Sequence, residues 1–130
     1  MINTLEIGKY INNVLVNNQE IQNLGAKVYP LIADNDAKFP FIIYRRIGLV
    51  SYMSKDGIYR DDATIEIKIV SDKYSVGVQL ANIVRSLLQR PYAQYADFEI
   101  NDVTINFASE DFLENAFIQI MQFTLKINDY

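Results

Sequence analysis

The chain has 130 residues, with 12 Lys and Arg against 16 Asp and Glu, and neither cysteine nor histidine. Those absences exclude disulfides, thiolate zinc sites, zinc sites that use His, Ser-His-Asp triads and Cys-His pairs. The net charge of −4 argues against a general nucleic-acid binder, which needs surplus cations to displace counterions, while a hydrophobic half of the composition is ample for one core over a single domain, 1–130.

No apolar run approaches the ~20 residues of a membrane span. The opening MINTLEIGKY lacks the basic-then-apolar order of a signal peptide. The chain therefore reads as a soluble protein made and kept inside a cell.

NTLEIGKYINNVLVNN reads as an opening helix. Asn3 is the expected N-cap, and Glu6 completes a capping-box-like pattern. Leu5, Ile11, Val14 and Leu15 share a face with Ile7 and Tyr10 beside it, and Gly8 marks close packing. QEIQNLG is a second helical turn ended by Gly25.

AKVYPLIA carries a strand that Pro30 confines to a sheet edge, because proline has no N–H for a ladder. FPFIIYRRIGLV is the next strand, with Phe41, Ile43, Ile47 and Leu49 on one face and Arg45 intruding on it. ATIEIKIVSDKY alternates strictly, so Ala63, Ile65, Ile67 and Ile69 form a buried face.

Asp56-Gly57 signals the hairpin between them. A two-residue turn there would oppose Ile67 to Arg46 and Ile65 to Gly48. A three-residue turn, Lys55-Asp56-Gly57, instead opposes Ile43 to Ile69 and Ile47 to Ile65. A one-residue slip moves every side chain to the other face, so the apolar pattern selects the second alignment.

SDKYSVGVQLANIVRSLLQRP is the main helix. Val76, Leu80, Ile83, Val84, Leu87 and Leu88 make its apolar stripe, Asp72 is the expected N-cap, and Pro91 stops it. FEINDVTINF reads as a tight hairpin turning at Asn101-Asp102, and SEDFLENA as a polar excursion. AFIQIMQFTLKIND is a last strand in which Met121, Phe123, Leu125 and Ile127 hold one phase and Ile118 and Ile120 the other. A bulge near Ile120, or burial of both faces, would reconcile the two phases. The order implies an α+β fold: an antiparallel β-sheet with a long central helix and an N-terminal helix packed on one face.

This order, and the segments VYPLIADNDAKFPFIIYRRIG, TIEIKIVSDKYSVGVQLANIVRSLL and SEDFLENAFIQIMQFTLKI, resemble the tail completion, or tail terminator, proteins of long-tailed phages and prophages. The shared pattern is a "YP" strand at Tyr29-Pro30, then a "PF…Y" strand over Phe39 to Tyr44. An alternating strand over Ile65 to Ser71 runs directly into a helix over Tyr74 to Leu88, and a late acidic segment precedes a closing strand over Glu110 to Ile127. The resemblance implies a structural role in the virion, at the junction of tail and neck, after assembly in the host cytoplasm. It implies a ring, typically six-fold, at the head-proximal end of the tail tube, which stops tube growth and joins the neck. The partners so implied are further copies of the chain, the tube protein and a neck or head-completion protein. No cofactor, metal, membrane or sequence-specific nucleic acid is implied.

Two other readings remain open: a head–tail joining protein, or a cellular α+β protein-binding module. An enzyme is not expected, because carboxylates alone would have to carry the chemistry and nothing fixes a pair of them across a cleft.

The candidate contact residues are Arg45, Arg46, Tyr52, Met53, Ile58, Tyr59 and Arg60. Tyr52, Met53, Ile58 and Tyr59 crowd a segment that should face solvent, and Tyr and Met are common at interfaces. The plainer alternative is a hairpin tip with its aromatics folded back. Arg45 and Arg46 must project to opposite faces. One could reach Glu66 or Asp61 across a subunit boundary, or simply lay its stem on the apolar surface with its head in water. The acidic clusters Asp34/Asp36, Asp61-Asp62 and Glu110-Asp111-Glu114 have no calcium-loop spacing and read as solvated charge.

Overall fold

The structure is a computed structural model that describes residues 3–53, 55, 59–90 and 92–129, with backbone alone at 59, 98 and 129. A 3-10 turn, Thr4–Glu6, leads into α1 (Ile7–Val16), followed by α2 (Gln19–Asn23), β1 (Lys27–Pro30), β2 (Phe41–Met53), β3 (Tyr59–Ser71), α3 (Tyr74–Leu88), β4 (Ala93–Tyr95), β5 (Phe98–Leu113) and β6 (Ala116–Asp129). The strands form one six-stranded sheet in the order β1-β2-β3-β6-β5-β4. Asp56, Gly57, Ile58 and Pro91 lie outside the described residues, and with them the expected hairpin turn and helix stop.

The isoleucines of β3 decide where the helices go. Ile65, Ile67 and Ile69 are fully buried with Phe123, Leu125 and Ile127 of β6, beneath Ile7, Ile11 and Leu15 of α1 and Leu80, Val84 and Leu88 of α3. Each such side chain contributes about 1.5–3 kcal/mol relative to exposure. One face of the sheet thus carries the helices, as the alternation requires.

Local signals explain the helix ends in part. Asn18 caps α2, its side chain accepting from the Ile21 N–H at 3.0 Å. At the other end Gly25 adopts φ 73°, with Gly25 N–H to Gln22 O and Ala26 N–H to Ile21 O closing a Schellman motif. The capping box expected at Asn3 does not form: the Asn3 amide donates to Asp97 at 2.9 Å and Glu6 pairs with Lys9. Leu5 is exposed because it sits in the 3-10 turn, out of phase with α1. At α3 the cap position is Lys73 rather than Asp72, and Ser71 Oγ accepts from its N–H at 3.0 Å. Gly8 does lie close to the sheet: a Cβ there would be 3.4 Å from the Tyr44 ring.

Three features of the sheet correct the expectations. First, the β2–β3 alignment follows the three-residue-turn register only from Gly48↔Thr64 to Met53↔Tyr59. A bulge at Ile47 then shifts it, so Arg46 opposes Ile65 and Ile42 opposes Ile69. The extra residue reverses the pleat, turning Ile42 and Tyr44 to the helices and Phe41 and Ile43 to the opposite face.

Second, residues 98–113 are one strand. Asn101 is a bulge, not a hairpin turn, and a second bulge lies at Asn106. The turn comes at Glu114-Asn115, both with positive φ (52° and 62°), between the partners Leu113 and Ala116. Such a turn matches the right-handed twist of its strands. SEDFLENA is therefore a hairpin end, and β6 runs past β3 unbroken, so the two phases of β6 reflect apolar contacts on both faces.

Third, β1 pairs parallel with β2, although it is the edge strand that Pro30 demands. The other pairings are antiparallel.

Candidate assembly surface

The face that carries no helix among the described residues is built from alternate residues of β2, β3, β6 and β5. Across its middle runs a charged row. Arg45 and Glu66 are register partners, with Arg45 Nε 2.9 Å from Glu66 Oε1 and Lys68 Nζ 3.9 Å from the same oxygen. Glu66 is only 8% exposed despite lying on this face. Burial of a carboxylate is tolerated where cations hold it, and Leu31, Ile43 and the stems of Arg45 and Lys68 wall it in.

Toward the β2–β3 tip, the Arg60 guanidinium stacks 4.6 Å over the Tyr52 ring. Arg60 pairs with Asp62: its Nη2 donates to Asp62 Oδ2 at 3.4 Å, and its Nε lies 3.0 Å from Asp62 Oδ1. The hydroxyl of Thr124, on the same face, accepts from the Asn106 amide.

Toward the other end the face becomes apolar. Phe41, Ile43, Val70 and Ile118 floor a depression of about 440 Å³, walled by segment 32–39 on one side and by the end of the β5–β6 hairpin on the other. Phe39 stacks on Phe41 at 5.8 Å, while on the helix side of the same hairpin Phe112 packs on Phe117 at 4.8 Å and Phe117 on Tyr74 of α3. Beside this hairpin, Glu110 accepts from the Tyr74 hydroxyl at 2.8 Å and the Gln119 amide at 3.0 Å. Those bonds hold the Glu110 carboxyl below its ordinary range and the Tyr74 phenol above its own.

The sequence-derived contact residues separate into two groups. Arg45, Tyr52 and Arg60 lie on the open face, and the Arg45 partner is Glu66 of the same chain. Arg46 turns to the helix side and donates to the Leu5 carbonyl at 2.9 Å. Met53 ends β2 and is 75% exposed, and Tyr59 is its register partner. Ile58 lies outside the described residues. Asp61, the other acidic partner considered for the arginines, is buried on the helix side and accepts from Ser51 Oγ. Sequence reasoning missed Phe41, Ile43 and Leu113 as surface residues, because the Ile47 bulge and the Glu114-Asn115 turn carry no apolar-pattern signal.

The comparisons with known proteins bear on the fold. No protein-family model matches the sequence, and no curated protein matches it. Among solved structures, the chain is similar to one from "Virion of native gene transfer agent (GTA) particle", with a TM-score of 0.76 and 11% identity over 91% of each chain. At that identity the likeness establishes a shared fold.

Proposed function

We propose that this chain is a non-enzymatic structural protein of a phage-like particle that forms a ring at the head-proximal end of a tail tube. The observation that carries this reading is the fold likeness to a chain of a gene transfer agent virion, extending over nearly the whole of both chains. Two features support it. The sheet leaves one face free of helices, and that face joins an apolar depression to a charged row. The chain also lacks His and Cys, the side chains that most often act as bases and nucleophiles.

The mechanism is geometric. Copies of the chain close a ring, one side of which seats on the last tube layer while the other offers a surface the tube protein cannot extend. In this reading the β2–β3 end with Met53 and Arg60, and Arg45 in the middle of the open face, meet the neighbouring copies or the tube.

Removing the chain from the particle that produces it, followed by electron microscopy of the tails, tests the proposal. Over-long tubes are the expected result. Tubes of normal length that lack attached heads would replace the terminator by a head–tail joining protein. Normal, complete particles would overturn both.

A further inference from the structure

The two outer strands of the sheet are too short for their neighbours. Among the described residues β1 pairs with β2 only over 41–44, and β4 pairs with β5 only over 98–100. Among the described residues no strand pairs with the outer edge of β2 over 45–53 or of β5 over 101–113. Natural proteins blunt such edges with Lys or Pro, since an open row of backbone groups recruits other strands. Neither segment contains a Lys or a Pro, and both expose apolar side chains, including Val50 and Phe107.

We propose that the open edge of β2 pairs antiparallel with the open edge of β5 from a second copy of this chain. The inference rests on the ring reading above and names its subunit contact. Three observations choose this occupant.

The first is charge. The only charged residues in 45–53 are Arg45 and Arg46, and the only ones in 101–113 are Asp102, Glu110 and Asp111. The second is register. With Arg45 opposite Asp111 and Arg46 opposite Glu110, Leu49 meets Ala108, Val50 meets Phe107 and Met53 meets Val103. Each strand has one bulge in this span, at Ile47 and at Asn106. The two bulges offset each other, so helix-side residues meet helix-side residues throughout, as sheet continuation requires. The third is shape. β1 caps the lower part of one edge and β4 the upper part of the other, so two copies fit as complementary steps. The stagger this imposes is the kind of shear that lets tilted strands close into a ring.

Cysteine cross-linking tests this directly, because the chain has no cysteine of its own. Within one chain β2 and β5 are separated by β3 and β6, and Val50 lies level with Asp102 rather than with Phe107, so residues 50 and 107 stand more than about 14 Å apart at ~4.8 Å per strand. That is beyond the ~7 Å Cα separation a disulfide allows. Mild oxidation of Val50→Cys/Phe107→Cys should give a ladder of covalent oligomers, and an equal mixture of the two single variants should stop at a covalent dimer. Val50→Cys/Ala108→Cys, with the second thiol on the helix side, should cross-link at least tenfold less. As a second readout, Arg46→Glu and Glu110→Arg should each abolish oligomers when alone, with folding checked by circular dichroism, and restore them when mixed. Oligomers that form without 50–107 cross-links, or that link equally through 108, overturn the edge pairing and leave the ring reading standing. A chain that stays monomeric and uncross-linked at high concentration overturns both.

Discussion

Arg45 and Glu66 sit opposite each other across the β2–β3 ladder, their side chains 2.9 Å apart on the face that bears no helix. Arg45 is about half exposed while Glu66 is nearly covered, so the carboxylate has more to lose from separation. Removing the arginine leaves a desolvated negative charge with Lys68 at 3.9 Å as its remaining cation. Arg45→Met should therefore destabilise the fold by about 1–2 kcal/mol. Glu66→Gln should cost less, and a double-mutant cycle in denaturant should return a coupling of about 0.5–1 kcal/mol after discounting for the exposed partner.

The Tyr10 ring packs in the core against Tyr95, while its hydroxyl is buried without a hydrogen-bond partner among the described residues. Tyr10→Phe removes that unsatisfied group and should raise stability by about 1 kcal/mol, read from the urea midpoint.

Burial also raises the phenol pKa values of Tyr10 and Tyr44 above the ordinary 10.0, because a buried phenolate is poorly solvated. The folded state then holds these protons more tightly than the unfolded chain. Their contribution is complete below about pH 10 and is lost as pH rises through the raised folded values. Thermal unfolding should show a decline starting near pH 10, and Tyr10→Phe should make that decline shallower.

Glu110 shifts the opposite way. The Gln119 amide and then the Tyr74 hydroxyl favour its ionised form, so its contribution is present above the ordinary value of 4.5 and fades as pH falls through the depressed folded value. Titration of the Glu110 carboxyl by NMR should place it below an ordinary glutamate. Gln119→Ala should move it upward more than Tyr74→Phe does.

The Glu114-Asn115 turn places a glutamate at φ 52°, where L residues with a Cβ are disfavoured. Glu114→Gly should stabilise by about 0.5–1 kcal/mol, whereas Asn115→Val, which puts a β-branched residue at φ 62°, should cost about 1–2 kcal/mol. Both changes are readable by thermal denaturation, and the first should leave the β5–β6 register intact.

Particular residues show how far the chain could be read unaided. The alternation of Ala63, Ile65, Ile67 and Ile69, the stripe of Leu80, Val84 and Leu88, and the edge position imposed by Pro30 were all legible and are all found. Each depends on a period or a missing donor that the neighbouring residues alone define. The Asn101-Asp102 turn was misread, because a bulge and a turn use the same small polar residues and differ only in what the partner strand does. Arg45 was legible as a residue intruding on an apolar strand, but its partner in the same chain was not.

Amino-acid order by itself determined which strands have an apolar face, which helices can cover it, and that no disulfide, thiolate site or imidazole-dependent site can be built from this chain. Only the tertiary structure decided which residues reach the open face. The bulges at Ile47, Asn101 and Asn106 each reverse the pleat for everything beyond them, and a bulge is settled by the pairing of two distant segments rather than by either one.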